Sequence, residues 1–159
     1  MPTATFIESG TDATQDFNFY SSTNGTVASD TTTSRTGPRS IKASNGAPAG
    51  STYVSRTDVL ADAGRRITFG YRRDTLLPNF GYFAVVYNEA SSIEVVSIRE
   101  NGAGKLFLTD ADGSPSSSTG TTVLSTNTWY RISLSYTITN STTYTFKLYI
   151  NGVLELTFT

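Results

Sequence analysis

Two glutamates in residues 93–100 are the nearest candidates in this chain for paired-carboxylate chemistry. Two carboxyl groups can cleave a glycosidic bond when they lie ~5 Å apart in retaining enzymes or ~6.5–9.5 Å apart in inverting ones. Glu94 and Glu100 fall on the same side of an extended strand, because an even number of residues separates them. Six residues of strand, however, span about 20 Å. We therefore expect two solvated charges here, and a protein that is not an enzyme.

Other reactive groups are scarce, because the chain contains no cysteine and no histidine. Ser-His and Cys-His nucleophiles are therefore excluded, as are zinc sites built from thiolate or imidazole. Asp110 and Asp112 precede Gly113 and offer the hard oxygen ligands that calcium prefers. The ten residues that follow Gly113 contain no acidic side chain to complete such a loop, and Asp-Gly is also a common turn sequence. We expect no cofactor, with calcium at Asp110 and Asp112 as the alternative to a turn.

Tyrosines and arginines are the remaining candidates for ligand binding. Aromatic rings can stack on sugar rings, and arginine can bind sulfate, phosphate or carboxylate groups. Four arginines (65, 66, 72 and 73) bracket one predicted strand, and residues 80–88 are apolar on both faces. The alternatives are aromatic side chains in the core and charged strand ends that discourage edge pairing. The candidate ligand-binding residues are Tyr71, Arg72, Tyr82, Tyr87 and Tyr149.

Alternating apolar and polar residues predict the strands that must position these side chains. In residues 128–137 and 144–150 the apolar side chains share one face, which predicts an antiparallel sheet with one buried side. Asn151-Gly152 follows directly, and both residue types tolerate the positive φ angles of a type I′ hairpin. In the last strand, alternation predicts that Leu154, Leu156 and Phe158 share a face. Further strands are predicted near 4–8, 17–20, 39–44, 51–56, 66–72, 80–88, 92–99, 104–109 and 121–124.

Length and composition indicate one all-β domain over residues 1–159. A dozen short strands separated by turn signals are typical of a sandwich or barrel, with polar loops at 21–36 and 113–120 and one helical turn at 57–64. The net charge of −1 argues against a nucleic-acid partner. No apolar run is long enough to span a membrane, and the first residues lack the features of a signal peptide.

Four stretches carry a resemblance to a known family. They are 36–43 (Thr-Gly-Pro-Arg-Ser-Ile-Lys-Ala), 104–110 (Gly-Lys-Leu-Phe-Leu-Thr-Asp), 128–132 (Thr-Trp-Tyr-Arg-Ile) and 147–153 (Lys-Leu-Tyr-Ile-Asn-Gly-Val). Together they resemble the concanavalin A-like lectin/glucanase superfamily, in particular its laminin-G-like jelly-roll domains. The resemblance implies a two-sheet antiparallel jelly-roll sandwich. In that family the sheet usually continues past this hairpin with one or two more strands. The resemblance therefore implies either a minimal version of the fold, or a sheet that a partner or a missing segment completes.

The resemblance does not imply one function, since similar folds bind sugars, cleave glucans, bind proteins or build virus particles. We expect a non-catalytic binding or structural module of a surface or phage-like virion assembly. The alternatives are a carbohydrate-binding lectin domain and, third, a glycoside hydrolase. The expected partners are a glycan or a protein, in a homo-oligomer or multi-protein assembly. The expected location is the virion or the extracellular surface, reached without a recognisable signal peptide.

Overall fold

The structure is a computed structural model that describes residues 22–24, 26–30, 32, 40–44, 53–55, 65–74, 81–88, 93–110, 119–140 and 143–159. Side chains are described for Thr32 and for residues 66–74, 95–109, 119–137 and 144–159. The chain divides into two compact units, Met1–Leu60 and Ala61–Thr159. The predicted strands near 4–8 and 17–20 and the helical turn at 57–64 lie outside the described residues.

All regular secondary structure in the described residues is β-strand, as the sequence predicts. No helix in this part of the chain is long and apolar enough to cross a membrane. The strands are β1 (Ser22–Asn24), β2 (Thr26–Asp30), β3 (Ser40–Ser44), β4 (Tyr53–Ser55), β5 (Arg65–Tyr71), β6 (Gly81–Asn88), β7 (Ile93–Glu100), β8 (Leu106–Asp110), β9 (Tyr130–Asn140), β10 (Thr143–Ile150) and β11 (Val153–Phe158).

The first unit contains two antiparallel strand pairs among its described residues. β1 pairs with β4, and β2 pairs with β3. The prediction of a polar loop over residues 21–36 was wrong for β1 and β2. Threonine, serine and valine fit a pleated strand once a partner strand supplies the hydrogen bonds, and polarity alone did not indicate that pairing.

The second unit contains two antiparallel sheets. One has four strands in the order β11-β10-β9-β5, and the other has three in the order β6-β7-β8. Asn151 and Gly152 connect β10 to β11 with φ angles of 52° and 92°, which confirms the predicted hairpin turn. Apolar side chains from both sheets form one hydrophobic core, as in a β-sandwich. Its fully buried members include Ile98, Leu106, Leu108, Ile132 and Leu148.

A β-bulge in the last hairpin changes the predicted alternation of β11. The register shifts between Leu148 and Tyr149, so that Leu156 pairs with Leu148 but Leu154 pairs with Tyr149. Leu156 is buried, whereas Leu154 is 49% exposed. The extra residue of a bulge breaks the two-residue repeat of side chains, and the prediction that Leu154 shares a face with Leu156 was therefore wrong.

Candidate functional site

The four-stranded sheet has a polar surface on the side opposite its core. Strand register places Arg66, Ser135 and Lys147 in one row across β5, β9 and β10, and Thr68, Ser133 and Tyr149 in the next row. Arg131 lies on β9 two residues before Ser133, on the same side of the sheet, and pairs with Gly70. Because neighbouring residues of a strand point to opposite sides, these side chains face away from Ile132 and Leu134 in the core. We define the outer face as Arg66, Thr68, Arg131, Ser133, Ser135, Lys147 and Tyr149.

A stacked pair of side chains occupies the centre of the outer face. The guanidinium carbon of Arg66 lies 4.5 Å from the centroid of the Tyr149 ring, within the range of a cation–π contact. Arg66 and Tyr149 stand two strands apart, on either side of β9. The Arg66 side chain reaches the ring because β9 carries only the small residues Ser133 and Ser135 between them. The contact restricts the Arg66 side chain and covers one face of the Tyr149 ring.

Ser133 forms the polar floor beneath this pair. It is 5% exposed, although it lies on the outer face, and its hydroxyl hydrogen bonds to that of Thr68 at 2.9 Å. A buried hydroxyl needs such a partner. The pair connects β5 to β9 through side chains as well as through the strand ladder.

The outer face is positively charged. Arg66, Arg131 and Lys147 are all exposed, and within the described residues none of the three forms a salt bridge. Arg72, just past the end of β5, differs from them. Its guanidinium forms a salt bridge with Asp74 and donates to Oδ1 of Asn127 at 2.6 Å. Three cations without a described salt bridge therefore share the outer face.

A second polar cluster is buried inside the unit. Arg73 forms a salt bridge with Glu100, and their side chains are 4% and 0% exposed. Arg73 also donates to the backbone carbonyl of Leu124. The Tyr71 hydroxyl lies 3.5 Å from the second carboxylate oxygen of Glu100. Burial raises the pKa of Tyr71, and the nearby positive charge of Arg73 opposes that rise in part.

The environment of Glu100 is unsuited to hydrolysis. A general acid or nucleophile needs access to substrate, and this carboxylate is fully enclosed and paired with Arg73. The backbone of Glu94 lies six residues away on β7, and its side chain is outside the described residues.

Glu155 on β11 anchors the segment that runs beside β8. One carboxylate oxygen accepts hydrogen bonds from the backbone N–H groups of Thr121 and Thr122, at 2.8 and 3.1 Å. The hydroxyls of the same two threonines donate at 3.2 and 2.5 Å. Partial burial alone would raise the pKa of Glu155, but these hydrogen bonds outweigh it and hold the pKa below its ordinary value of 4.5.

We expect Glu155→Gln to lower the free energy of unfolding at pH 7 by about 1 kcal/mol, a small value because solvent screens a partly exposed group. A carboxylate whose pKa is depressed on folding stabilises the protein above its unfolded pKa, and that stability is lost as the pH falls through the folded pKa. The difference in the free energy of unfolding between the wild type and Glu155→Gln should therefore shrink as the pH falls below about 4.5, the ordinary pKa of a glutamate. Urea unfolding at several pH values measures this, and a difference that does not change with pH would contradict it.

Among the predicted ligand-binding residues whose side chains the structure describes, Tyr71, Arg72 and Tyr149 do not lie together. Tyr149 lies on the outer face, whereas Tyr71 pairs with Tyr130 on the core side of the same sheet. Arg72 is held by Asp74 and Asn127. For Tyr82 and Tyr87 the structure gives only the backbone of β6, and for Asp110 only the end of β8. Asp112 lies outside the described residues, so the calcium site stays a prediction.

The prediction that Glu100 is a solvated charge was wrong, because its carboxylate is buried beside Arg73. The sequence did carry a signal for this buried ion pair. Glu100 follows the buried residues Val96 and Ile98 at intervals of two. Arg73 likewise extends the alternation of Phe69 and Tyr71 on β5. Opposite charges that continue the apolar faces of two strands are expected to meet inside the fold, since a buried charge needs a partner.

Family models, curated proteins and solved structures were compared with the chain, and none of them matches it.

Proposed function

We propose that the protein is a non-catalytic binding and structural module of a surface or virion-type assembly, built on a jelly-roll sandwich that resembles the concanavalin A-like domains. One observation carries the proposal. The outer face presents exposed cations that form no salt bridge with any described acidic residue, and the ring of Tyr149 is covered on one face by Arg66. Such a surface is suited to recognising a partner by charge, not to cleaving it.

The two antiparallel sheets and their shared core are compatible with the proposed sandwich. The proposal also includes the assembly itself, as a homo-oligomer or a multi-protein complex at a virion or cell surface. Native mass spectrometry and light scattering across micromolar concentrations test the homo-oligomer. A protein that stays monomeric throughout would leave the multi-protein complex as the remaining form of the proposal.

We expect no release of reducing sugar from a panel of β-glucans. Glu100 is enclosed with Arg73, and a catalytic pair would need two accessible carboxyl groups within ~10 Å. Release above the buffer blank that disappears in Glu94→Gln would contradict this prediction. Glu94→Gln is preferred to a change at Glu100, because removing the buried carboxylate is expected to destabilise the fold.

The second candidate function is a lectin, which the hydroxyl groups and Tyr149 on the outer face favour. A sugar ring stacks on an open aromatic face, whereas Arg66 lies over the Tyr149 ring. A glycan array of neutral and acidic oligosaccharides separates the candidates. Binding of a neutral glycan that becomes tighter in Arg66→Gln, where the ring is uncovered, would support the lectin.

A further inference from the structure

We propose that the outer face is a docking site for an extended, carboxylate-rich segment of a protein partner. This inference rests on the proposed binding function and specifies its partner. Arg66, Arg131 and Lys147 are exposed and, within the part of the chain that the structure describes, without ion pairs. Every charged residue assigned to the outer face is a cation. Charge complementarity therefore favours an anionic occupant.

Arg66 is the best-oriented donor on this surface. Its guanidinium carbon lies 4.5 Å from the Tyr149 ring centroid. This contact restricts the side chain, so part of the ordering cost of binding is already met before the ligand arrives. A planar guanidinium presents parallel N–H groups that match both oxygens of a carboxylate. Arg66 is exposed, so such a ligand can reach its guanidinium.

The spacing of the cations suits a polypeptide. Arg66 and Lys147 stand in the same row two strands apart, about 10 Å. Arg131 lies four residues from Ser135, the β9 member of that row, which is about 14 Å along the strand. An extended peptide repeats side chains on one side every ~7 Å, so acidic residues two or four positions apart can reach two of these cations.

The number and position of the cations also favour a peptide. Ser133 is 5% exposed beneath the Arg66–Tyr149 pair. An extended segment would therefore lie across this pair and the side chains around it, and not against the backbone of β9. Heparin-binding patches are Lys/Arg-rich stretches of roughly five to eight residues. The outer face has three cations, which are separated by Ser135 and by four residues of β9.

The test measures binding of a fluorescein-labelled peptide of alternating Glu and Gly by anisotropy at low salt, with a Gln-Gly peptide as the control ligand. We expect saturable binding of the Glu peptide only, weakening as salt rises. Arg66→Gln should weaken it at least about tenfold, and Arg66→Lys should restore part of the loss. Lys147→Gln provides a second variant on an exposed side chain. The control variant is Lys105→Gln. Lys105 directly precedes β8 of the three-stranded sheet, so this change removes one positive charge away from the outer face and should change binding less than twofold.

Four results would overturn the proposal. The first is no binding of the Glu peptide to a folded wild type. The second is equal weakening by Lys105→Gln, which would indicate a general charge effect. The third is tight binding of a heparin oligosaccharide without binding of the peptide, which would make the occupant a polysaccharide. The fourth is a dimer of the chain alone that Arg66→Gln and Lys147→Gln abolish, which would make it a second copy. The glycan array and the reducing-sugar assay test the binding function separately, so its failure can be distinguished from these results.

Discussion

Replacing Glu100 by leucine is expected to lower the free energy of unfolding by about 3–5 kcal/mol, because it leaves a buried charge without its partner. Glu100 is fully buried, and Arg73 is 6% exposed. Leucine has a similar volume but cannot accept a hydrogen bond from the guanidinium. Urea denaturation followed by the fluorescence of Trp129, the only tryptophan of the chain, measures the loss.

The matched control is an ion pair at the surface. Asp74→Asn breaks the Arg72–Asp74 salt bridge, whose carboxylate side chain is 51% exposed, and should cost no more than about 1 kcal/mol. The double variant Arg73→Met/Glu100→Leu removes both buried charges and should recover most of the stability lost in Glu100→Leu. If Glu100→Leu costs as little as Asp74→Asn, the carboxylate is not enclosed as described.

Gly104→Ala is expected to cost about 2–4 kcal/mol, because backbone strain and a close contact act together. Gly104 has a φ of +78°, and a Cβ atom there would lie 2.9 Å from Nη2 of Arg73 and 3.1 Å from the carbonyl oxygen of Leu124. Both neighbours belong to the buried cluster, so neither can move freely. The melting temperature and the urea midpoint should both fall.

Gly152→Ala separates strain from crowding. Gly152 has a similar φ of +92°, but a Cβ atom there would approach only the flexible end of Arg131. We expect a cost of about 1 kcal/mol from strain alone. Equal losses in Gly104→Ala and Gly152→Ala would mean that the neighbours of Gly104 move aside, and that the Arg73–Glu100 cluster is not rigid.

Strands β9 and β10 were predictable because apolar and polar residues alternate strictly along them. Ile132, Leu134, Phe146, Leu148 and Ile150 are all buried, as the two-residue repeat predicts. Asn-Gly adds a local signal that depends only on two backbone angles. These features require no knowledge of distant residues, and so the sequence alone specifies them.

The candidate site was predicted only in part, since it depends on which strands become neighbours. Alternation assigns Arg66 and Tyr149 each to a face, but their contact exists only because β9 lies between β5 and β10. Alternation assigns Ser133 to the solvent side of the sheet, where the Arg66–Tyr149 pair covers it. The exposure of Leu154 results from a β-bulge, which an alternating sequence pattern cannot indicate.

The strand order β11-β10-β9-β5 also bears on how the sheet forms in time. β9, β10 and β11 follow one another along the chain, so closing their hairpins costs little entropy. β5 pairs with β9, and 65 residues separate Thr68 on β5 from Ser133 on β9. Contacts between residues so far apart in sequence form slowly. Since Arg66 belongs to β5, the C-terminal meander can fold first without a complete cationic surface. The complete outer face, with Arg66 against Tyr149, is therefore assembled only when β5 docks.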